Sequence, residues 1–437
     1  MKARKLRSAV ALAAVAALAL TGCGGSSSPA TDAAGSSGPV ELTFWSWVPK
    51  IDKAVALWNS THPQIQVKLN AVPGGSQGTY TKMYAAVKAG NAPDIGQVEY
   101  SFLPNFAQLG DVQDISSHLS PGFKDQFPEW TRAQVSSGDA IFAVPQDIAP
   151  MGLFYRKDLF AQAGVTSPPA TWEEFARAAE LLHRKNPKQV ITNFPTNQGD
   201  WFAGLAWQAG GSWFAQDGDK WKVDIDSPAS RKVAEYWQSL VDKKLVKAEG
   251  NWSDQWSKEL QDGTLAAWIT GAWGGPSLES AAPATKGKWA VAPLPQWEAG
   301  RTETGNWGGS TNVVMKGSKH PAEAAQFIQW LNTDPASTAL LSKESGLYPA
   351  ATAWTSSAAY QAESPFFGGQ QLSKVIGQQH LSPDFRWGPT SSDTFTVFQD
   401  VTGKLESGQG RIVDALSAAQ TKTVATMKGQ GFEIAGG

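Results

Sequence analysis

Tryptophan set beside acids, amides and glycine is the recurring chemistry of this sequence. The 437-residue chain carries 20 tryptophans against 7 tyrosines. Five stretches combine these types: Trp45-Ser46-Trp47, Gln97-Val98-Glu99-Tyr100, Gln146-Asp147, residues 197–207 with Asp200 and Trp201, and Gly271-Ala272-Trp273-Gly274-Gly275. Asn306-Trp307 and Asp384-Phe385-Arg386-Trp387 are two further instances. An indole face takes up weakly positive C–H groups, while carboxylates, amides, Arg and indole N–H pair with hydroxyls. Together they suit a ring compound with apolar faces and a hydroxyl rim, which describes a sugar. Several such sites predict several subsites, and so an oligosaccharide. Flat platforms favour equatorial β-linked chains.

Other chemistries find less support. Cys23 is the single cysteine, so a disulfide within the chain and a Cys-based zinc site are excluded. The five histidines are far apart, and no metal or cofactor is expected. His-Glu-x-x-His and phosphate-loop motifs are missing. Glu99 and Asp147 supply two carboxylates, the equipment of a glycoside hydrolase, which is therefore the enzymatic alternative. A non-sugar cargo such as a peptide is the binding alternative. Lys plus Arg is 37 and Asp plus Glu is 39, a balance that calls for no nucleic-acid partner.

The elements that must position these residues alternate. Residues 40–47 read as a strand, 51–59 as a helix, 65–69 as a strand, 79–88 as a helix closed by Gly90, and 93–98 as a strand. This predicts an α/β fold with a mostly parallel sheet. Ligands then lie at the carboxyl ends of the strands, where Trp45, Trp47, Glu99 and Tyr100 fall. Alternation puts Trp45 and Trp47 on one face, Phe44 and Ser46 on the other. Thr171 reads as the N-cap of a helix reaching His183. Residues 230–243, 321–331 and 411–427 are further helices. Trp58, Trp237 and Trp330 sit at core spacing, and Trp207 reads as core. Trp252 and Trp256 fit either core or an extra rim.

The N-terminus reads as an address. Lys2, Arg4, Lys5 and Arg7 precede a short apolar run at residues 9–20. Leu20-Thr21-Gly22-Cys23 resembles a bacterial lipobox, which implies a signal peptide at 1–22 and lipidation at Cys23. Residues 23–38, rich in Gly, Ser and Ala, form a flexible tether. The expected location is the outer face of the cell membrane, in a Gram-positive type of host.

The body resembles a known family in order along its length. Ala92-Pro93-Asp94-Ile95 is similar to an "APDI" strand start. Residues 141–159 resemble "A-V-P…L-x-Y-N-K-D-L", with Arg156 in place of Asn. Residues 169–175 resemble "P-x-T-W-E-E-F". Residues 260–275 resemble "F-x-x-G-x-A-A-M…G-x-W", and residues 324–331 "A-A-x-F-x-x-W-L". The family is the carbohydrate-binding solute-binding proteins of bacterial ABC importers, the maltose-binding-protein group. The resemblance implies two discontinuous α/β lobes joined by a hinge, with crossings near Asp147, Glu303 and Ala350. It assigns 39–147 and 304–350 to the first lobe, and 148–303 and 351–437 to the second. It also implies a ligand-stacking Trp273 flanked by small residues, and ligand contacts from Glu99 and Tyr100, Asp147 beside Gln146, Asp200 and Trp201, and a late aromatic at Trp387. The partners implied are an oligosaccharide and permease subunits. A monomeric, non-enzymatic binding protein is expected.

Overall fold

The computed structural model describes residues 38–218 and 220–435; the expected signal peptide, Cys23 and nearly all of the expected tether lie outside the described residues. Pro39–Gly437 forms one compact unit, and it has two lobes. The first is built on a five-stranded sheet in the order Ile65–Ala71, Val40–Ser46, Ile95–Glu99, Ser310–Val314, Val144–Pro145. The first three strands run parallel, as the alternation predicts. Ser310–Val314 is antiparallel to both neighbours, because it enters this sheet on its way back from the second lobe. The second lobe holds an antiparallel three-stranded sheet, Ala267–Gly271, Met151–Arg156 and Trp289–Pro293, and a separate parallel pair, Thr192–Phe194 and Val246–Ala248. The expectation of a mostly parallel sheet thus fails there. The central strand Met151–Arg156 is separated from both neighbours by several helices, so no single βαβ crossover joins them and sets them parallel.

Local chemistry accounts for the helices. Thr171 accepts the Glu174 N–H and starts Trp172–Lys185, whose first turn carries Glu173 and Glu174 and whose last carries His183, Arg184 and Lys185. Helix Thr79–Ala89 stops at Gly90, which takes the left-handed conformation. In Pro228–Asp242, Val233, Ala234, Trp237 and Leu240 are buried, and this helix packs on the C-terminal helix Ile412–Gly429.

Three segments run together between the sheets. Asp147 bridges to Pro349, and Pro150 to Asn306. The Ile148 N–H donates to Tyr348 O at 2.9 Å, and the Trp307 N–H to Ala149 O at 3.0 Å. The second segment packs so tightly against helix Gly199–Gln208 that a Cβ on Gly305 would lie 1.8 Å from the Gly204 carbonyl oxygen. Only a bare backbone fits there.

Candidate functional site

Three carboxylates gather where the lobes join. Glu99 ends the third parallel strand, Asp147 stands on the first connecting segment, and Asp200 lies in the first turn of helix Gly199–Gln208. Tyr80 Oη donates to Glu99 Oε2 at 2.9 Å and accepts the Glu99 N–H at 3.0 Å. Asp147 Oδ1 accepts the Ser310 N–H at 2.8 Å. Asp200 Oδ1 accepts the Trp201 N–H at 3.0 Å. Burial is the main cause that lifts Glu99 and Asp147 to about 7 and Asp200 to about 6. The Asp200 charge raises Glu99 further, and the Glu99 charge raises Asp147. Backbone N–H groups pull Asp147 and Asp200 back down, as the Trp307 side chain does Asp200. No Lys or Arg contributes to any of the three. Arg156, the one buried basic side chain among the described residues, is held at 2.8 Å by both oxygens of Asp158.

A wall of indoles stands beside the acids. Trp273 follows the Ala267–Gly271 strand and donates its indole N–H to Trp307 O at 2.7 Å, with the ring centroids 4.9 Å apart. Behind it lie Trp268 and Trp256, both buried; in front, half-exposed, is Trp252. Gly271 and Gly308 allow the close fit, since a Cβ on either would lie within 2.9 Å of the Trp273 indole nitrogen. On the other lobe Trp47 meets Tyr80 edge-on at 5.9 Å, and through it the Glu99 carboxylate. The Tyr100 hydroxyl and both amide atoms of Gln146 are buried near this junction without a hydrogen-bond partner among the described residues. Unpaired polar groups of this kind are costly until a partner reaches them.

Residues 45–338 match the family described as bacterial extracellular solute-binding protein. The chain belongs to that family. The solute-binding protein is similar to the arabinooligosaccharide-binding protein of Bacillus subtilis (strain 168), at 26% identity over 322 residues, covering 71% of this chain and 72% of the relative. Its fold matches the galacto-N-biose/lacto-N-biose I-binding protein of Bifidobacterium longum, solved with lacto-N-biose, at a TM-score of 0.80 and 31% identity, over 91% of this chain and 99% of that one. It also matches an ABC transporter associated binding protein from B. animalis subsp. lactis Bl-04, solved with beta-1,6-galactobiose, at a TM-score of 0.79 and 29% identity, over 91% and 99%. These relatives are binding proteins, and the family places the solute-binding protein outside the cytoplasm.

Several residues named from sequence take other places. Trp201 is buried in the second lobe and donates its indole N–H to Ile269 O at 3.0 Å, because it faces inward from a helix buried on nearly every side. Asn306 spends both ends of its amide on the connecting segments, accepting the Ala149 N–H at 2.8 Å and donating to Gly308 O at 2.7 Å. Gly274 is buried against Thr270. Trp387 packs edge-on against Phe385 and Phe395, and its backbone N–H reaches Gln134 Oε1 of the first lobe at 3.3 Å. Arg386 is half-buried, with the charges of Asp384 and Glu129 near it. Tyr100 heads an aromatic run through Trp130 and Trp207 to Phe385. Trp45 is half-buried on the Trp47 face of its strand, and no hydrogen bond among the described residues ties it to the acids. Tyr80 is not among the candidates, and Trp252, which by sequence fits either core or an extra rim, stands exposed. Trp252 had a signal, since it stands in a polar run just ahead of an N-cap serine.

Proposed function

We propose that this solute-binding protein captures a neutral oligosaccharide between its lobes and delivers it to the permease of an ABC importer. One observation carries the reading: the partly exposed Trp273 packs on Trp307, whose side chain reaches Asp200, one of three mutually coupled carboxylates that have no basic partner. Indole faces take the C–H side of a pyranose, and the spare carboxylate oxygens accept its hydroxyl protons. A site with three acids and no cation repels uronic and sulfated sugars. The sugar cargoes of the relatives support the same class. In this reading the protein binds without catalysing.

The first lobe comprises residues 39–147 and 304–350, the second residues 148–303 and 351–437, and the three connecting segments act as the hinge. Closure about that hinge gives a permease a shape to recognise. Cys23, lipidated, tethers a monomeric body to the outer face of the membrane, in keeping with a Gram-positive type of host.

The test is intrinsic tryptophan fluorescence of the body from Gly38 onward. It is titrated with arabino-, galacto-, cello-, xylo- and manno-oligosaccharides, their monosaccharides and uronic acid counterparts. A saturable change with one neutral series and none with the acidic sugars is expected. A flat response from folded protein to every sugar would transfer the cleft to a non-sugar cargo.

A further inference from the structure

We infer that Trp252 is a second stacking platform that sets how long a saccharide the cleft accepts; the inference rests on the sugar reading of Trp273. Trp252 and Leu109 are the two large hydrophobic side chains that stand exposed among the described residues, and Trp252 keeps 45% of its surface. A lone exposed indole is ordinary. This one is held in place. Its backbone has φ of 76°, the left-handed region that a bulky residue enters only when its surroundings impose it.

The surroundings that impose it are specific. Asn197 Nδ2 donates to Asn251 O at 3.1 Å, and Asn197 Oδ1 accepts the Asn251 N–H at 3.0 Å, so one amide side chain clamps both backbone groups of the preceding residue. Asn193 Nδ2 donates to Asn251 Oδ1 at 2.7 Å. Gly250 leaves the room, since a Cβ there would lie 3.0 Å from Asn197 Nδ2. On the far side, Ser253 caps the next helix by accepting the Trp256 N–H. The loop is fastened at both ends, and what it presents is the indole.

The ring is aimed along the Trp273 wall. The Trp252 and Trp273 centroids are 5.8 Å apart and their planes are inclined by 36°. The buried rings of Trp256 and Trp268 stand behind both, at 5.2 and 5.7 Å from Trp252. Two supported indoles at a shallow angle make a bent strip, which a chain of linked rings can follow and a single ring cannot fill. Asn251, buried next to the strip, has one amide hydrogen-bonding atom, Nδ2, without a partner among the described residues. A hydroxyl of the added ring is the chemistry it would take.

The experiment uses the full-length chain in a non-glycosidic detergent. Calorimetric titration compares matched di-, tri- and tetrasaccharides of the β-1,4-gluco, β-1,4-xylo, β-1,4-manno and β-1,6-galacto series on wild type, Trp252→Ala and Trp252→Phe. Wild type is expected to bind the trisaccharide of its preferred series at least tenfold more tightly than the disaccharide. Trp252→Ala should erase that gain and leave the disaccharide within about twofold, and Trp252→Phe should keep most of the gain. Equal weakening of both lengths would overturn the inference, because Trp252 would then merely support Trp273. So would no change at either length, or a wild type with no preference for length. Wild type that binds no saccharide at all would instead overturn the sugar reading itself.

Discussion

Two aromatic clusters of the second lobe use the same residue type for opposite ends. In one, Trp172, Trp201 and Trp237 meet with Phe175 and Phe194, with centroids between 5.1 and 6.1 Å, and all five are buried. In the other, Trp256 and Trp268 are buried but carry Trp273 and Trp252, which keep open faces. Abundance of tryptophan alone is therefore no measure of binding. What separates the clusters is the origin of their residues. The first takes its rings from three helices and a strand packed face to face. The second takes its open rings from the residues that follow a strand end and precede a helix cap, where the chain reaches the junction of the lobes.

Trp237→Ala should cost the most, and in stability. Emptying a fully buried indole site costs about 3–5 kcal/mol. A large drop in the denaturant midpoint is expected, with sugar affinity unchanged in whatever protein remains folded. Trp273→Ala should do the reverse: roughly 30-fold or greater loss of affinity, about 2 kcal/mol, with a small change in melting temperature. If the two variants gave the same pattern, the division between the clusters would collapse.

Trp201→Phe sharpens the division at the residue that sequence misplaced. It keeps a ring in the core and removes the donor to Ile269 O. A stability loss of about 1 kcal/mol is expected, with affinity within twofold, read by thermal melts and titration. A tenfold affinity loss would return Trp201 to the cleft.

The reason for that misplacement marks what the sequence carries and what it does not. Period and caps gave the helices: Thr171, Gly90 and the face of Trp237 act through neighbours a few residues away. The place of Glu99 at the end of a parallel strand was legible from the alternation of strand and helix. Trp201 and Asp200 are adjacent, yet only Asp200 faces the other carboxylates. A helix buried almost all round has no polar face to reveal which side meets the cleft, and Gly204 against Gly305 fixes that side through a backbone contact 101 positions away in sequence, 305 minus 204. The Tyr80–Glu99 pair was hidden similarly, since its partners lie on separate elements.

The last expected effect is one of pH, and it belongs to the three acids where the lobes join. In an unfolded chain Glu and Asp titrate near 4. In the folded protein Glu99 and Asp147 titrate at about 7 and Asp200 at about 6, with the Tyr80 hydroxyl, the Ser310 and Trp201 amides and the Trp307 indole facing them and no basic group among them. Between roughly pH 4 and 7 the folded state therefore holds more protons than the unfolded one. Their contribution to stability is full below pH 4 and is lost as pH rises through 6 to 7. The melting temperature of ligand-free protein should thus fall from pH 5 to 8, and Glu99→Gln should fall less, since it carries no proton to lose and lightens the repulsion on Asp147. A hydroxyl-donating sugar favours the ionised acids, so the shift in melting temperature it produces should grow over the same interval. The core cluster has no such groups, and Trp201→Phe should leave both slopes as they are. A Glu99→Gln slope identical to wild type would mean that the three carboxylates do not share one buried field.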